Sequence, residues 1–290
     1  MDVTISTNVG RQLALGAHRL RAGASREISA NASLEAGLLL AHALHTTRAR
    51  LLSHPESAVE PDASRRYQAL IERRARGEPL AYLTGTREFW SLPLGVTPAV
   101  LVPRPETELL VERALALRSA AHGRVADLGT GSGAVALALA SERPHWRVTA
   151  TDVSVEALAV AHENAAKLGI SAIDFRHGSW CAPLAGERFD LIVSNPPYVA
   201  ADDPALDDPA LAHEPRVALT PGLDALACLR AIVHDAPQHL NAGGWLLLEH
   251  GVAQAAALRH QLVLAGFGYV RSHTDLAGHE RITEGQYDPI

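Results

Sequence analysis

Two short stretches of this chain carry residues whose types and spacing can do chemistry. The first is Val125-Ala126-Asp127-Leu128-Gly129-Thr130-Gly131-Ser132-Gly133-Ala134. An apolar strand runs into a glycine-rich turn and then into an alanine-rich helix. Glycines there let the backbone turn tightly and approach a ligand that side chains would exclude. Asp152 follows 19 residues after Gly133, at the end of the next expected strand. A carboxylate at that place accepts hydrogen bonds from both hydroxyls of a ribose, so the set points to a nucleoside-containing cofactor. The glycine spacing also satisfies a loose dinucleotide fingerprint and does not choose between cofactors. Ser132 lacks the G-x-S-x-G frame of a hydrolase elbow.

The second stretch is the apolar strand Phe189–Ser194 running into Asn195-Pro196-Pro197-Tyr198. In open α/β sheets ligands sit beyond the carboxyl ends of the strands, so this tetrapeptide is expected to face the cofactor crevice. Two prolines remove backbone donors and leave carbonyl oxygens free to accept. Asn195 adds a side-chain acceptor and Tyr198 a flat face. Such a set suits a planar –NH2 group, whose two N–H bonds are accepted while its plane is packed. The chemistry expected is electrophilic substitution at that nitrogen.

The elements that must position these stretches follow from periodicity. Residues 1–84 read as a small helical bundle, with helices at Val9–Leu20, Ser33–His45 and Pro61–Arg76 and caps at Asn31 and Ser33. Gly85–Pro105 reads as a β-hairpin and linker. From residue 106 to 290 strands and helices alternate: helix Thr107–Ala120, strand Arg124–Leu128, helix Gly133–Glu142, strand Arg147–Thr151, helix Ser154–Leu168, strands Ala172–Arg176 and Phe189–Ser194. Helix Leu223–His239, strand Trp245–Glu249, helix Val252–Ala265 and strands near Tyr269–Ser272 and Glu280–Thr283 complete the series. The class expected is α/β: a doubly wound, mostly parallel sheet preceded by the bundle. Ala200–Pro215 reads as an acidic surface loop.

Composition narrows the function classes. The formal charge is −6, divided as a net +3 in residues 1–84 (11 arginines, 8 acids) and a net −9 in residues 85–290 (15 basic residues, 24 acids). A nucleic-acid groove on the α/β part is therefore not expected. Two cysteines without C-x-x-C spacing argue for a reducing compartment. Met1-Asp2-Val3 opens no secretory leader, and no stretch is apolar enough to span a membrane, so a cytoplasmic location is expected. The 15 histidines, His42 and His45 among them, gather no metal set. The run Arg65-Arg66…Arg73-Arg74…Arg76 reads as a solvated face able to dock an acidic partner.

On these motifs the chain resembles the HemK-type release factor glutamine methyltransferases, the PrmC family. The resemblance covers nearly the whole length. It takes in Glu78–Gly85 (E-P-L-A-Y-L-T-G), Val102–Glu108 (V-P-R-P-E-T-E), Gly129–Gly133, Asn195–Tyr198, Leu247–Gly251 (L-L-E-H-G) and the tail Asp275…Glu280-Arg281. It implies a Rossmann-like domain dependent on S-adenosylmethionine, which becomes S-adenosylhomocysteine. The reaction implied is methyl transfer to the side-chain amide nitrogen of the glutamine in the Gly-Gly-Gln loop of class-I peptide chain release factors. Gly129, Thr130, Gly131, Ser132, Gly133 and Asp152 are implied to bind the cofactor, with Trp180 near the adenine. Asn195 is implied to touch both cofactor and substrate; Pro196 and Tyr198 share its catalytic role, and Pro197 adds to the substrate site. Pro103–Glu108 is expected to cover the cofactor's methionine end. No metal, nucleic acid or membrane partner is expected, and the chain is expected to act as a monomer. Alternatives are an amino-group methyltransferase on adenine or cytosine, the glutamine methyltransferase of a ribosomal protein, and a catalytically silent binding protein.

Overall fold

The computed structural model describes residues 7–22, 26–118 and 120–288; Met1-Asp2-Val3 lies outside them. They divide into two units. One holds the described residues up to Gly85 together with Asp207–His213, and the other holds Thr86–Leu206 with the residues from Glu214 onward. Among the described residues no helix is long and apolar enough to cross a membrane.

The first unit is helical. It contains β1 (Thr7–Asn8), α1 (Val9–Arg21), α2 (Arg26–Ala43), α3 (Arg48–Ser53), β2 (Ala58–Val59), α4 (Pro61–Ala75) and α5 (Leu80–Thr84), with β1 and β2 paired antiparallel. The Asn8 side chain caps α1 by accepting from the Arg11 N–H, Thr47 does the same for α3, and Pro61 opens α4. Asn31 and Ser33 do not cap. The helix begins earlier, at Arg26, because Ile28, Ala32 and Ala36 extend its buried stripe toward the amino terminus. Asn31 Nδ2 donates to the Glu27 carbonyl, and Ser33 Oγ accepts from Arg21.

The arginine run also departs from a solvated face. Arg74 is only 6% exposed and forks onto Glu35 at 2.8 and 2.9 Å, so it belongs to the interior. Arg73 pairs with Glu78 and Arg65 with Asp62.

The second unit is the α/β part. After the hairpin β3 (Thr86–Phe89) and β4 (Leu92–Gly95) come α6 (Glu108–Leu117), β5 (Gly123–Leu128), α7 (Ala134–Glu142), β6 (Trp146–Asp152), α8 (Val155–Leu168), β7 (Ile173–His177) and β8 (Phe189–Ser194). They are followed by α9 (Arg216–Leu219), α10 (Ala227–His239), β9 (Leu240–Glu249), α11 (Ala255–Leu264), β10 (Phe267–Thr274) and β11 (Glu280–Tyr287). The sheet runs β10-β11-β9-β8-β5-β6-β7; β5 to β9 are parallel, and β11 is antiparallel to both neighbours. The chain winds outward from β5 to β7 and then returns to the other side at β8, which makes β5 and β8 the switch point.

Alternate residues of each strand face opposite layers. Val125, Leu191, Val193 and Leu247 pack with α6 and α7, while Ala126, Leu128, Ile192, Leu246 and Leu248 pack with α10 and α11. Every residue of α7 from Ala134 to Ala140 is buried, which suits a short alanine-rich helix laid close on a sheet. Two expectations shift here. The hairpin is more than a connector, since Phe89 and Leu94 are buried in the core. The acidic strip is not all surface, since the Glu214 side chain is 1% exposed.

The Glu35–Arg74 pair yields a stability prediction. Glu35→Ala leaves a buried guanidinium without its carboxylate and is expected to cost about 3–5 kcal/mol in urea unfolding. Replacing both partners by apolar residues (Glu35→Met with Arg74→Leu) is expected to cost much less. A loss from the pair replacement as large as from Glu35→Ala would contradict this.

Candidate active site

The register of β5 against β8 sets Leu128 beside Ser194, so the glycine turn and the Asn195 turn leave the sheet side by side. Ser194 Oγ donates to the Leu128 carbonyl at 2.6 Å and ties the two strand ends together. The glycine turn is held by backbone bonds to the neighbouring strand β6. The N–H groups of Gly129 and Thr130 both donate to the Thr151 carbonyl, at 2.8 and 2.9 Å. Gly129 has a φ of +73°, and a Cβ there would stand 3.1 Å from the Trp180 ring. The positive φ favours glycine, and a side chain there would also crowd the Trp180 ring.

Asp152 braces the protein's own backbone. Its Oδ2 accepts from the Gly131 N–H at 2.8 Å and its Oδ1 from the Ser154 N–H at 2.9 Å. Each oxygen keeps a further lone pair for a hydroxyl. Trp180 holds a φ of +45°, a sparsely populated conformation for a bulky residue. It is fixed in part by Thr151 Oγ1 donating to its carbonyl at 3.0 Å. Asp127 is buried and accepts from Thr130 Oγ1 at 2.6 Å. Burial pushes its carboxyl up to about 6, with the Thr130 bond acting in the opposite sense.

These residues line a cavity of about 380 Å³. Its wall includes Gly129, Thr130, Gly131, Ser132, Asp152, Trp180, Asn195 and Pro197, with Asp127, Arg104, Thr107, Val217 and Cys228 added. Gly133, Pro196 and Tyr198 do not line it. Gly133 stands behind the turn, where a Cβ would meet Leu137 and Ala161 at 3.1 and 3.2 Å. Pro196 is buried. Tyr198 turns away and donates its hydroxyl to Glu249 Oε1 at 3.2 Å, so it offers the cavity no flat face.

Asn195 Nδ2 donates to Thr107 Oγ1 at 3.0 Å, which leaves Oδ1 as the amide's accepting end. Glu249 is 1% exposed, and burial pushes its carboxyl up to about 7 against the stabilising pull of Thr107, Tyr198 and Arg281. His250, the next residue, does not line the cavity. Its ring contacts the Gly251 carbonyl and Thr283 Oγ1, and burial lowers its pKa.

Other residues that hold the cavity gave weaker signals in sequence. Asn164 accepts from the Gly95 N–H at 2.7 Å and donates to the carbonyls of Gly95 and Ser132, joining the hairpin to the glycine turn. Its trace in the sequence is a polar residue on the buried stripe Ala157, Leu158, Ala161. Glu214 accepts from the Val102 N–H at 3.2 Å and from Arg104 at 2.6 Å, holding the segment that walls the cavity. Gln254 donates to the Tyr198 carbonyl at 2.9 Å and anchors the turn from below.

The residues fit an adenosyl group. Gly131 opens on space with no neighbour where a Cβ would lie, Asp152 presents acceptors beside it, and the Trp180 ring overlies Gly129. A volume of about 380 Å³ is in the range of small-molecule sites.

A switch-point cavity with this turn, acid and amide-ended Pro-Pro turn defines a methyltransferase of the Rossmann-like class. The family described as "Methyltransferase small domain" matches residues 105–213, and the "PrmC N-terminal domain" matches residues 13–85. The release factor glutamine methyltransferase of Xylella fastidiosa is 51% identical, over 87% of this chain and 92% of its own. That of Pseudomonas aeruginosa is 49% identical, over 89% and 94%. A solved methyltransferase from Pyrococcus furiosus shares the fold, with a TM-score of 0.53 and 18% identity over 77% of this chain and 98% of its own. The chain belongs to the release factor glutamine methyltransferase family.

Two measurements check the site. Asp152→Ala is expected to weaken S-adenosylmethionine binding by about 10- to 100-fold in calorimetric titration, the worth of charge-assisted hydrogen bonds to the ligand and of the ordered turn. An affinity within about twofold would remove the role. For Glu249 the sign follows from linkage. A carboxyl whose pKa rises on folding keeps its proton in the native state after the unfolded chain has lost it. The native state is therefore penalised progressively as pH rises from the ordinary glutamate range through about 7. The Tm of Glu249→Gln relative to the parent is expected to climb between about pH 5 and pH 8, and a pH-independent difference would contradict it.

Proposed function

We propose that this protein transfers a methyl group from S-adenosylmethionine to the side-chain amide nitrogen (N5) of the glutamine in the Gly-Gly-Gln motif of class-I release factors, and so modulates translation termination. The observation that carries the reading is the Asn195 amide, held at the cavity wall by Thr107 with its oxygen left to accept. The relatives at 51% and 49% identity named for this activity support it.

S-adenosylmethionine, when bound, supplies an electrophilic methyl group on a sulfonium. Gly129, Thr130, Gly131 and Ser132 would hold it along the turn that Gly133 closes, Asp152 would accept from its ribose hydroxyls, and Trp180 would pack on its adenine. An amide nitrogen is a poor nucleophile because its lone pair is delocalised into the carbonyl. In this reading Asn195 Oδ1 accepts one N–H of the substrate amide at the cavity wall, and the backbone carbonyl of Pro196, whose ring does not line the cavity, accepts the other. They fix the nitrogen toward the cofactor end of the cavity and favour the positive charge that grows on it. Positioning of this kind supplies roughly 7–11 kcal/mol in good cases. Pro197 walls the substrate side, and Tyr198 stiffens the turn through Glu249. The helical unit, residues 1–84, recognises the release factor, and its net +3 supports that assignment. The protein acts in the cytoplasm as a monomer.

Asn195→Ala is expected to lower turnover by about 10²–10³-fold or more, while cofactor affinity stays within about tenfold. The assay supplies methyl-labelled S-adenosylmethionine to purified release factor, to its Gln→Ala variant and to DNA in parallel. Label is expected on the intact release factor alone. Label on DNA, or label persisting on the Gln→Ala protein, would overturn the assignment.

A further inference from the structure

Glu249 is a buried carboxylate on β9 that touches the Asn195–Tyr198 turn without lining the cavity. One oxygen, Oε1, accepts from the Tyr198 hydroxyl at 3.2 Å. The other, Oε2, is buried and makes no hydrogen bond among the described residues, so the carboxylate has accepting capacity to spare. Thr107 is 5% exposed and lines the cavity beside Asn195. Its oxygen receives Asn195 Nδ2 at 3.0 Å, and its side chain also stabilises the charged form of Glu249.

A threonine hydroxyl has one hydrogen and two lone pairs. Drawn toward a carboxylate, the hydrogen is committed, and the oxygen then has only lone pairs to offer its other neighbour. An asparagine amide can meet such an oxygen only with its NH2 end. Reversed, it would aim its carbonyl at a lone pair and present an NH2 group to the substrate's own NH2 group, donor against donor. The accepting end of Asn195 is thus selected by the group behind it.

We propose that Glu249 and Thr107 are positioning residues of the methyl transfer. The carboxylate polarises the Thr107 hydroxyl, Thr107 fixes the rotamer of the Asn195 amide, and Oδ1 is thereby aimed into the cavity as the acceptor of the substrate N–H. The same carboxyl group accepts from the Tyr198 hydroxyl, so one buried side chain bears on both ends of the four-residue turn. The proposal rests on the glutamine methyltransferase reading and names the groups that set its acceptor.

The test compares the parent protein with Thr107→Val, Thr107→Ser and Glu249→Gln on release factor, recording kcat and KM, with S-adenosylmethionine affinity by calorimetry. Thr107→Val keeps the side chain's shape but frees the amide to turn. It is expected to lower kcat by about 10- to 100-fold, with cofactor affinity and KM changed by no more than about threefold. Thr107→Ser restores the hydroxyl and is expected to return kcat to within about threefold of the parent. Glu249→Gln places an NH2 donor where Thr107 must find an acceptor, and is expected to lower kcat in the same way. An unchanged kcat in Thr107→Val, or a Thr107→Ser as impaired as Thr107→Val, overturns the proposal. A parent protein that labels release factor and its Gln→Ala variant alike, or neither, overturns the underlying reading instead.

Discussion

The parallel pairing of β5 with β8 sets Leu128 against Ser194, and that register decides what stands beside what in the cavity. Because β8 lies next to β5 and not next to β7, the glycine turn and the Asn195 turn leave neighbouring strand ends. Shifted by one residue, β8 would turn its buried side chains to the wrong layers, since Leu191 and Val193 pack on one face and Ile192 on the other. The hydrophobic pattern that buries the sheet thus also fixes the alignment of the site. The bond from Ser194 Oγ to the Leu128 carbonyl adds a local tie at the place where the strands end.

Around that pairing the cavity is held by polar side chains from distant parts of the chain. Asn164 joins the hairpin to the glycine turn, Glu214 holds Val102 and Arg104, and Gln254 grips the Tyr198 carbonyl. Each satisfies backbone or charged groups that burial would otherwise leave unpaired, which is why they occur under a site made of turns. Transfer to an amide nitrogen depends on where groups stand more than on any single reactive side chain, so such support bears directly on turnover.

What could be read from sequence was what local chemistry dictates. Gly129 and Gly131 need positive φ, Pro196 and Pro197 stiffen a strand exit, and Asp152 ends the strand after the glycine turn. The alternation of strands and helices likewise announces the sheet. Thr107 and Asn195 lie 88 positions apart, and Arg104 and Glu214 lie 110 apart. No spacing rule reaches across such distances, and only the folded sheet brings these partners together. Arg74 misled for a related reason, because its partner Glu35 sits on another helix and turns an apparently solvated residue into a buried one. The start of α2 was hidden because Asn31 and Ser33 imitate caps within a stripe that Ile28 and Ala32 carry past them.

The central claim is that Asn195 directs methylation to one nitrogen of one glutamine. Fragment mass spectrometry of release factor incubated with S-adenosylmethionine and either the parent protein or Asn195→Ala tests it most directly. The account predicts one added methyl group on the side chain of the Gly-Gly-Gln glutamine with the parent protein, appearing at least about 100-fold more slowly with the variant. Methyl groups on other residues, or equal methylation of that glutamine by Asn195→Ala, would contradict it.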